Sequence, residues 1–146
     1  MPGRLPDSRE MESPITGPRN NAPFTFRDLS VWKQSRGLAS DIYRLVSTPK
    51  LRGHHAFCDQ LGRAALSVPS NIAEGDERGT NKESLRFLFI ARGSLGELET
   101  QLWIGHDLGW IESEDYRKLS ERMGNVTRLL GGLIRMRQRR LKASES

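Results

Sequence analysis

Residues 113–137 read SEDYRKLSERMGNVTRLLGGLIRMR. Tyr116, Leu119, Met123, Val126, Leu130, Leu133 and Arg137 recur at alternating steps of three and four. That period is the seam of a helix packed lengthwise against other helices, and a strand would not produce it. Ser113 is a candidate N-cap, and Glu114 and Asp115 follow in the first turn, where carboxylates suit the positive end of the helix dipole. A helix over about 113–141 is expected, with a short tail at 143–146.

The three segments upstream have the same character. Thr80-Asn81-Lys82-Glu83 is a T-x-x-E capping box and opens a helix over about 81–107. A second helix is expected over about 55–74, with Phe57, Leu61, Ala64 or Ala65, Val68 and Ile72 inward and Gly75 as its stop. A first helix is expected over about 28–47, capped by Asp28, with Leu29, Trp32, Ala39, Ile42 or Tyr43, and Val46 inward. It ends at Ser47-Thr48-Pro49, because the residue before a proline avoids helical geometry. No useful run alternates apolar and polar as a strand would. The expected fold is all-α, an antiparallel up-down-up-down four-helix bundle over 26–142.

Five of the seven prolines lie in residues 1–25, which read as a disordered leader too poor in apolar surface to fold; Met11 is a second candidate start. The formal charge of +5 is unevenly placed. Residues 1–25 sum to zero and residues 135–146 carry five basic and one acidic side chain, +4, which leaves +1 for the body. With one cysteine, Cys58, no disulfide forms within the chain. No signal-peptide run and no long apolar span occur, so a cytoplasmic protein away from membranes is expected.

Chemistry-bearing residues read more readily as internal wiring than as an active site. Glu97 and Glu99 are two apart on a helix and do not face each other. No His or carboxylate stands at metal-ligand spacing from them, and no phosphate loop or nucleophile elbow occurs. No enzyme activity, metal, cofactor or small-molecule substrate is therefore expected. Pro69 lacks the N–H that would reach the Ala65 carbonyl, and Gly93 and Gly96 each cost about 1 kcal/mol against alanine in a helix. Close approach of two backbones accounts for such residues. Ala64, Ala65 and Ala73 are expected to face Ala91, Gly93 or Ser94. Asn71 and Glu74 would then satisfy backbone and neighbouring charges, and Arg63 would pair with a carboxylate.

LRFLFIA, residues 85–91, is apolar nearly all round. Phe87 and Phe89 point about 200° apart at ~100° per residue, so burying both needs a second subunit. They are the candidate oligomer interface. Two basic groups are candidate nucleic-acid contacts, since arginine's planar fork suits phosphate. One is Arg78, Lys82 and Arg86 around the 2–3 turn; the other is Arg135, Arg137, Arg139, Arg140 and Lys142 near the C-terminus. They are expected at opposite ends of the domain, as separate patches that a ring oligomer would multiply.

FRDLSVWKQSRGLASDIYRL (26–45) and QLGRAALSVPSNIAEGDERGTNKESLRFLFIARGSLGELETQLWI (60–104) resemble the 23S ribosomal RNA intervening-sequence (S23) family. RAALSVPSNIAEG at 63–75 and ARGSLGELE at 91–99 are its paired signatures, containing Arg63, Pro69, Asn71, Glu74, Gly75, Gly93, Ser94 and Glu97. The resemblance spans nearly all of 26–137. It implies a four-helix bundle. It also implies kinship with accessory proteins of diversity-generating retroelements, which are pentameric, positively charged, and bind nucleic acid and a reverse transcriptase. The function expected is thus a non-enzymatic homopentamer associating with RNA, DNA or a ribonucleoprotein such as the ribosome. A protein-interaction scaffold without nucleic-acid binding is the alternative.

Overall fold

The structure, a computed structural model, describes Leu5 and residues 24–145. The expected leader, apart from Leu5, Phe24 and Thr25, lies outside the described residues, as does Ser146. Four helices account for the fold: α1 (Ser30–Val46), α2 (His55–Asp76), α3 (Asn81–Asp107) and α4 (Ser113–Glu145). A 3-10 turn, Phe26–Asp28, precedes α1. There is no strand among the described residues. α1 packs on α2 and α4, α2 on α3, and α3 on α4.

One core runs through all four helices. Leu38, Ile42 and Leu45 from α1 meet Leu61, Val68 and Ile72 from α2, Leu88, Leu98 and Leu102 from α3, and Leu119 and Leu130 from α4. Each such side chain contributes about 1.5–3 kcal/mol relative to an exposed one. Leu5 joins this core, and Lys118 Nζ donates to its carbonyl at 3.3 Å.

Several expected details shift. Asp28 does not cap α1. Its carboxylate accepts the Thr25 N–H at 2.9 Å, closing a capping box around the 3-10 turn, and α1 starts after Leu29 without a side-chain cap. The buried face of α1 includes Ala39 and Ile42 as expected, together with Val31, Ser35, Leu38 and Leu45; Leu29, Trp32 and Val46 pack partly buried against the core, and Tyr43 is exposed. In α4 the fully buried seam is Leu119, Met123, Val126, Leu130 and Ile134, and Leu133, like Tyr116, packs against the core only partly buried. A straight helix turns 3.6 residues at a time, so a strict seven-residue seam drifts off the core over several turns. Ser113 is the first residue of α4 rather than the residue before it, and the tail expected at 143–146 is helical through Glu145.

Gly75 does not end α2, which continues to Asp76 with Glu77 as C-cap. Gly75 is buried, and a Cβ there would lie 3.0 Å from the Ser84 backbone oxygen. It is a contact point between α2 and the start of α3. Gly93 and Gly96 depart from expectation in the other direction, since a Cβ on either meets nothing within 4 Å. Ser94 Oγ on α3 lies 2.7 Å from Ser67 Oγ on α2, and Ala64, Ala65 and Ala91 are buried.

A buried ion pair joins α1 to α4. Arg122 Nη1 donates to Asp41 Oδ2 at 2.7 Å, with the side chains 7% and 6% exposed. The guanidinium lies against Gly37, where a Cβ would stand 2.8 Å from Arg122 Cζ. Burial pushes the Asp41 carboxyl above the ordinary aspartate range, against the pull of Arg122 and Arg44.

Candidate nucleic-acid interface

The two basic groups meet at one end of the molecule. Arg137, on the last third of α4, donates from Nη1 to Asn81 Oδ1 at 3.2 Å and from Nη2 to Asp76 Oδ1 at 3.3 Å. Asp76 closes α2 and Asn81 opens α3, so this arginine fastens α4 to the 2–3 turn. The expectation that the turn and the C-terminal part of α4 lie at opposite ends is therefore corrected. α4 runs back toward that turn, and its basic residues arrive beside Arg78, Lys82 and Arg86. Arg137 and Asp76 are only 16% and 17% exposed, which makes Arg137 a clamp rather than a surface cation.

The other candidates stay at the surface. Arg135, Arg139, Arg140 and Lys142 are exposed on α4, and Lys82 is exposed at the start of α3. Among the described residues, none of these five lies within ion-pair distance of a carboxylate. Arg78 pairs with Glu74, and Arg86 Nη1 stands 3.9 Å from Glu83 Oε2. Phe87 lies beneath both arginines, with Arg78 Cζ at 4.5 Å and Arg86 Cζ at 5.6 Å from the ring centroid. The Thr80 hydroxyl accepts the Glu83 N–H at 3.2 Å, which fixes the start of α3 and hence the position of Lys82 and Arg86.

The remaining signature residues divide between packing and surface. Asn71 Nδ2 donates to the Ser67 carbonyl at 2.7 Å and to its hydroxyl at 3.0 Å, bonds that span Pro69 with two residues on either side. The carbonyl orphaned by Pro69 belongs to Ala65, so Asn71 braces the helix next to the break rather than filling it. Arg63 is exposed and pairs with no carboxylate among the described residues, contrary to expectation. Glu97 is exposed, and Gln101 Nε2 donates to its Oε1 at 3.4 Å.

Phe87 is half-buried, turned toward Gly75, whereas Phe89 is 38% exposed with Arg92 over its ring. Ile90, Trp103 and Ile104 are exposed on the same helix. At the opposite end of the molecule His54 stacks on Trp110 with centroids 3.7 Å apart, and His106 stacks on Tyr116 at 4.7 Å. Neither stack was foreseen from the sequence, because each joins residues far apart or across a loop. Burial first, and then the neighbouring Asp59, pushes the Cys58 thiol upward. Its Sγ donates to the Leu51 carbonyl at 3.1 Å. Among the described residues no three of His, Cys, Asp and Glu are grouped to hold a metal ion, and no helix is long and apolar enough to cross a membrane.

Fold and surface together define a four-helix bundle with a basic end. Residues 27–132 match the profile of the 23S rRNA-intervening sequence protein family, and the chain belongs to that family. A crystal structure of a protein with unknown function from the S23 ribosomal protein family, from Bacteroides thetaiotaomicron VPI-5482, has a similar fold. The two superpose with a TM-score of 0.66 at 21% identity, over 71% of this chain and 97% of the other. No curated protein matches the chain.

Proposed function

We propose that the chain is a non-enzymatic up-down-up-down bundle that assembles with copies of itself, as a pentamer, and associates with RNA or another nucleic acid, or with a ribonucleoprotein, through its basic end. The observation carrying this reading is the Arg137 clamp, which brings two basic groups into one surface. Asp41–Arg122 pairs α1 with α4, and Lys50–Glu112 pairs the loop after α1 with the residue before α4, an opposite order along the chain that supports the up-down course. Self-assembly is supported by α3, where Phe89, Ile90, Trp103 and Ile104 remain exposed beside Gly93 and Gly96.

Labelled RNA titrated at increasing salt tests the reading. Neutralising phosphates releases counterions, so log affinity falls with log salt by about 0.7 per single-strand contact. Changing Arg135, Arg139, Arg140 and Lys142 together to glutamine is expected to flatten that slope and to cost most of the affinity. Full retention of affinity by this variant removes α4 from the interface, and no polyanion binding at low salt defeats the reading. The exposed apolar residues of α3 favour one rival, a scaffold for a protein partner, which predicts that last outcome.

A further inference from the structure

We infer that the basic end takes single-stranded nucleic acid by stacking unpaired bases on the guanidinium planes of Arg78 and Arg86, which the Phe87 ring holds in place. This rests on the nucleic-acid reading above and names the form of nucleic acid. One ring carries two guanidinium groups, at 4.5 and 5.6 Å from its centroid. Phe87 is itself fixed against α2, its Cβ 3.4 Å from where a Gly75 Cβ would stand. Glu74 restrains Arg78 from the side. The arginine side chains are nevertheless 42% and 69% exposed, so surface remains for a base. Guanidinium planes accept bases that are splayed out, and a duplex keeps its bases covered.

The carboxylates point the same way. Glu74, Glu77 and Glu83 stand at the same turn, where they weaken its pull on the phosphates of any strand and leave stacking as what the turn can add. Arg135, Arg139, Arg140 and Lys142 supply cations for the one backbone that the bases bring with them.

The test compares an oligothymidylate, an abasic strand of equal length and a duplex, each titrated with the full chain at one salt concentration. The oligothymidylate is expected to bind about tenfold or more tightly than the abasic strand, as stacking of a base or two supplies. In the Arg78→Lys/Arg86→Lys chain the charge is kept and the planes are lost, so binding of the oligothymidylate falls more than binding of the abasic strand and that ratio moves toward one. Phe87→Leu, with helicity verified by circular dichroism, is expected to lower the ratio too. Equal binding of the two strands by the unmodified chain, a preference for the duplex, or an unchanged ratio in the lysine variant overturns the stacking inference and leaves nucleic-acid binding standing. Binding to none of the three overturns both.

Discussion

Gly75 and Gly93 are both helical glycines inside the paired signature, and their surroundings are opposite. A methyl at Gly75 meets the Ser84 backbone oxygen at 3.0 Å, and backbone cannot step aside as a side chain can. A methyl at Gly93 meets nothing within 4 Å. Gly75→Ala is expected to destabilise by about 1–3 kcal/mol through overpacking. Gly93→Ala is expected to stabilise the isolated subunit by up to about 1 kcal/mol through helix propensity and chain entropy. Urea denaturation of the two variants decides both signs. Asp41 and Arg122 give a second expectation at this scale. Asp41→Leu or Arg122→Met alone leaves one charge buried without its partner and is expected to cost about 3–5 kcal/mol. The double variant is expected to recover much of that loss in the same denaturation experiment, because two apolar groups need no solvation.

Toward its C-terminal end α4 is held by a polar contact as well as by the partly buried Leu141. Its last fully buried residue is Ile134, and Arg137 then ties it to the 2–3 turn. Arg137→Ala is expected to release the segment beyond it, visible as faster amide exchange over 138–145, and to weaken RNA binding although Arg137 itself is mostly covered. Unchanged exchange there would mean that α4 holds its course without the clamp. The elements themselves were legible because periodicity, the Thr80 cap and the loop residue Pro49 act locally. The details that shifted are those decided by a neighbour. Gly75 has the look of a helix stop until the Ser84 backbone is placed beside it. The Leu133-to-Ile134 change is an accumulated rotation. Arg122 passes as one more surface arginine, yet it lies three residues after Leu119 and four before Val126, on the buried face. Asp41 stands in the same relation to Leu38 and Leu45, with Gly37 one turn earlier. That pair of spacings was the available signal for the buried ion pair.

For the whole molecule, charge placement matters more than total charge. The body is close to neutral and the excess lies in α4, so the basic end exists only because the fold carries α4 to the 2–3 turn. The candidate residues were legible one by one from their chemistry, whereas their shared location required the path of all four helices. The outer face of α3 belongs to this scale as well. Trp103 is 57% exposed, and its burial in the proposed assembly would supply part of the driving force. Trp103→Glu is expected to reduce the mass measured by light scattering to that of one subunit, with helicity by circular dichroism unchanged. An unaltered oligomer would place the interface elsewhere, and a monomeric parent chain would remove it.

The order of helix contacts also bears on how the chain reaches this state. α1 with α2, α2 with α3 and α3 with α4 are each joined by a short connection, and such local contacts form quickly. The α1–α4 contact is different, since Asp41 and Arg122 are 81 residues apart. Closing that seam is rewarded only after the intervening helices are in place. The buried pair is therefore expected to form late, a point that folding and unfolding rates of the Asp41→Leu chain would check. Its loss should speed unfolding more than it slows folding, so the ion pair governs how long a finished subunit lasts rather than how soon it forms.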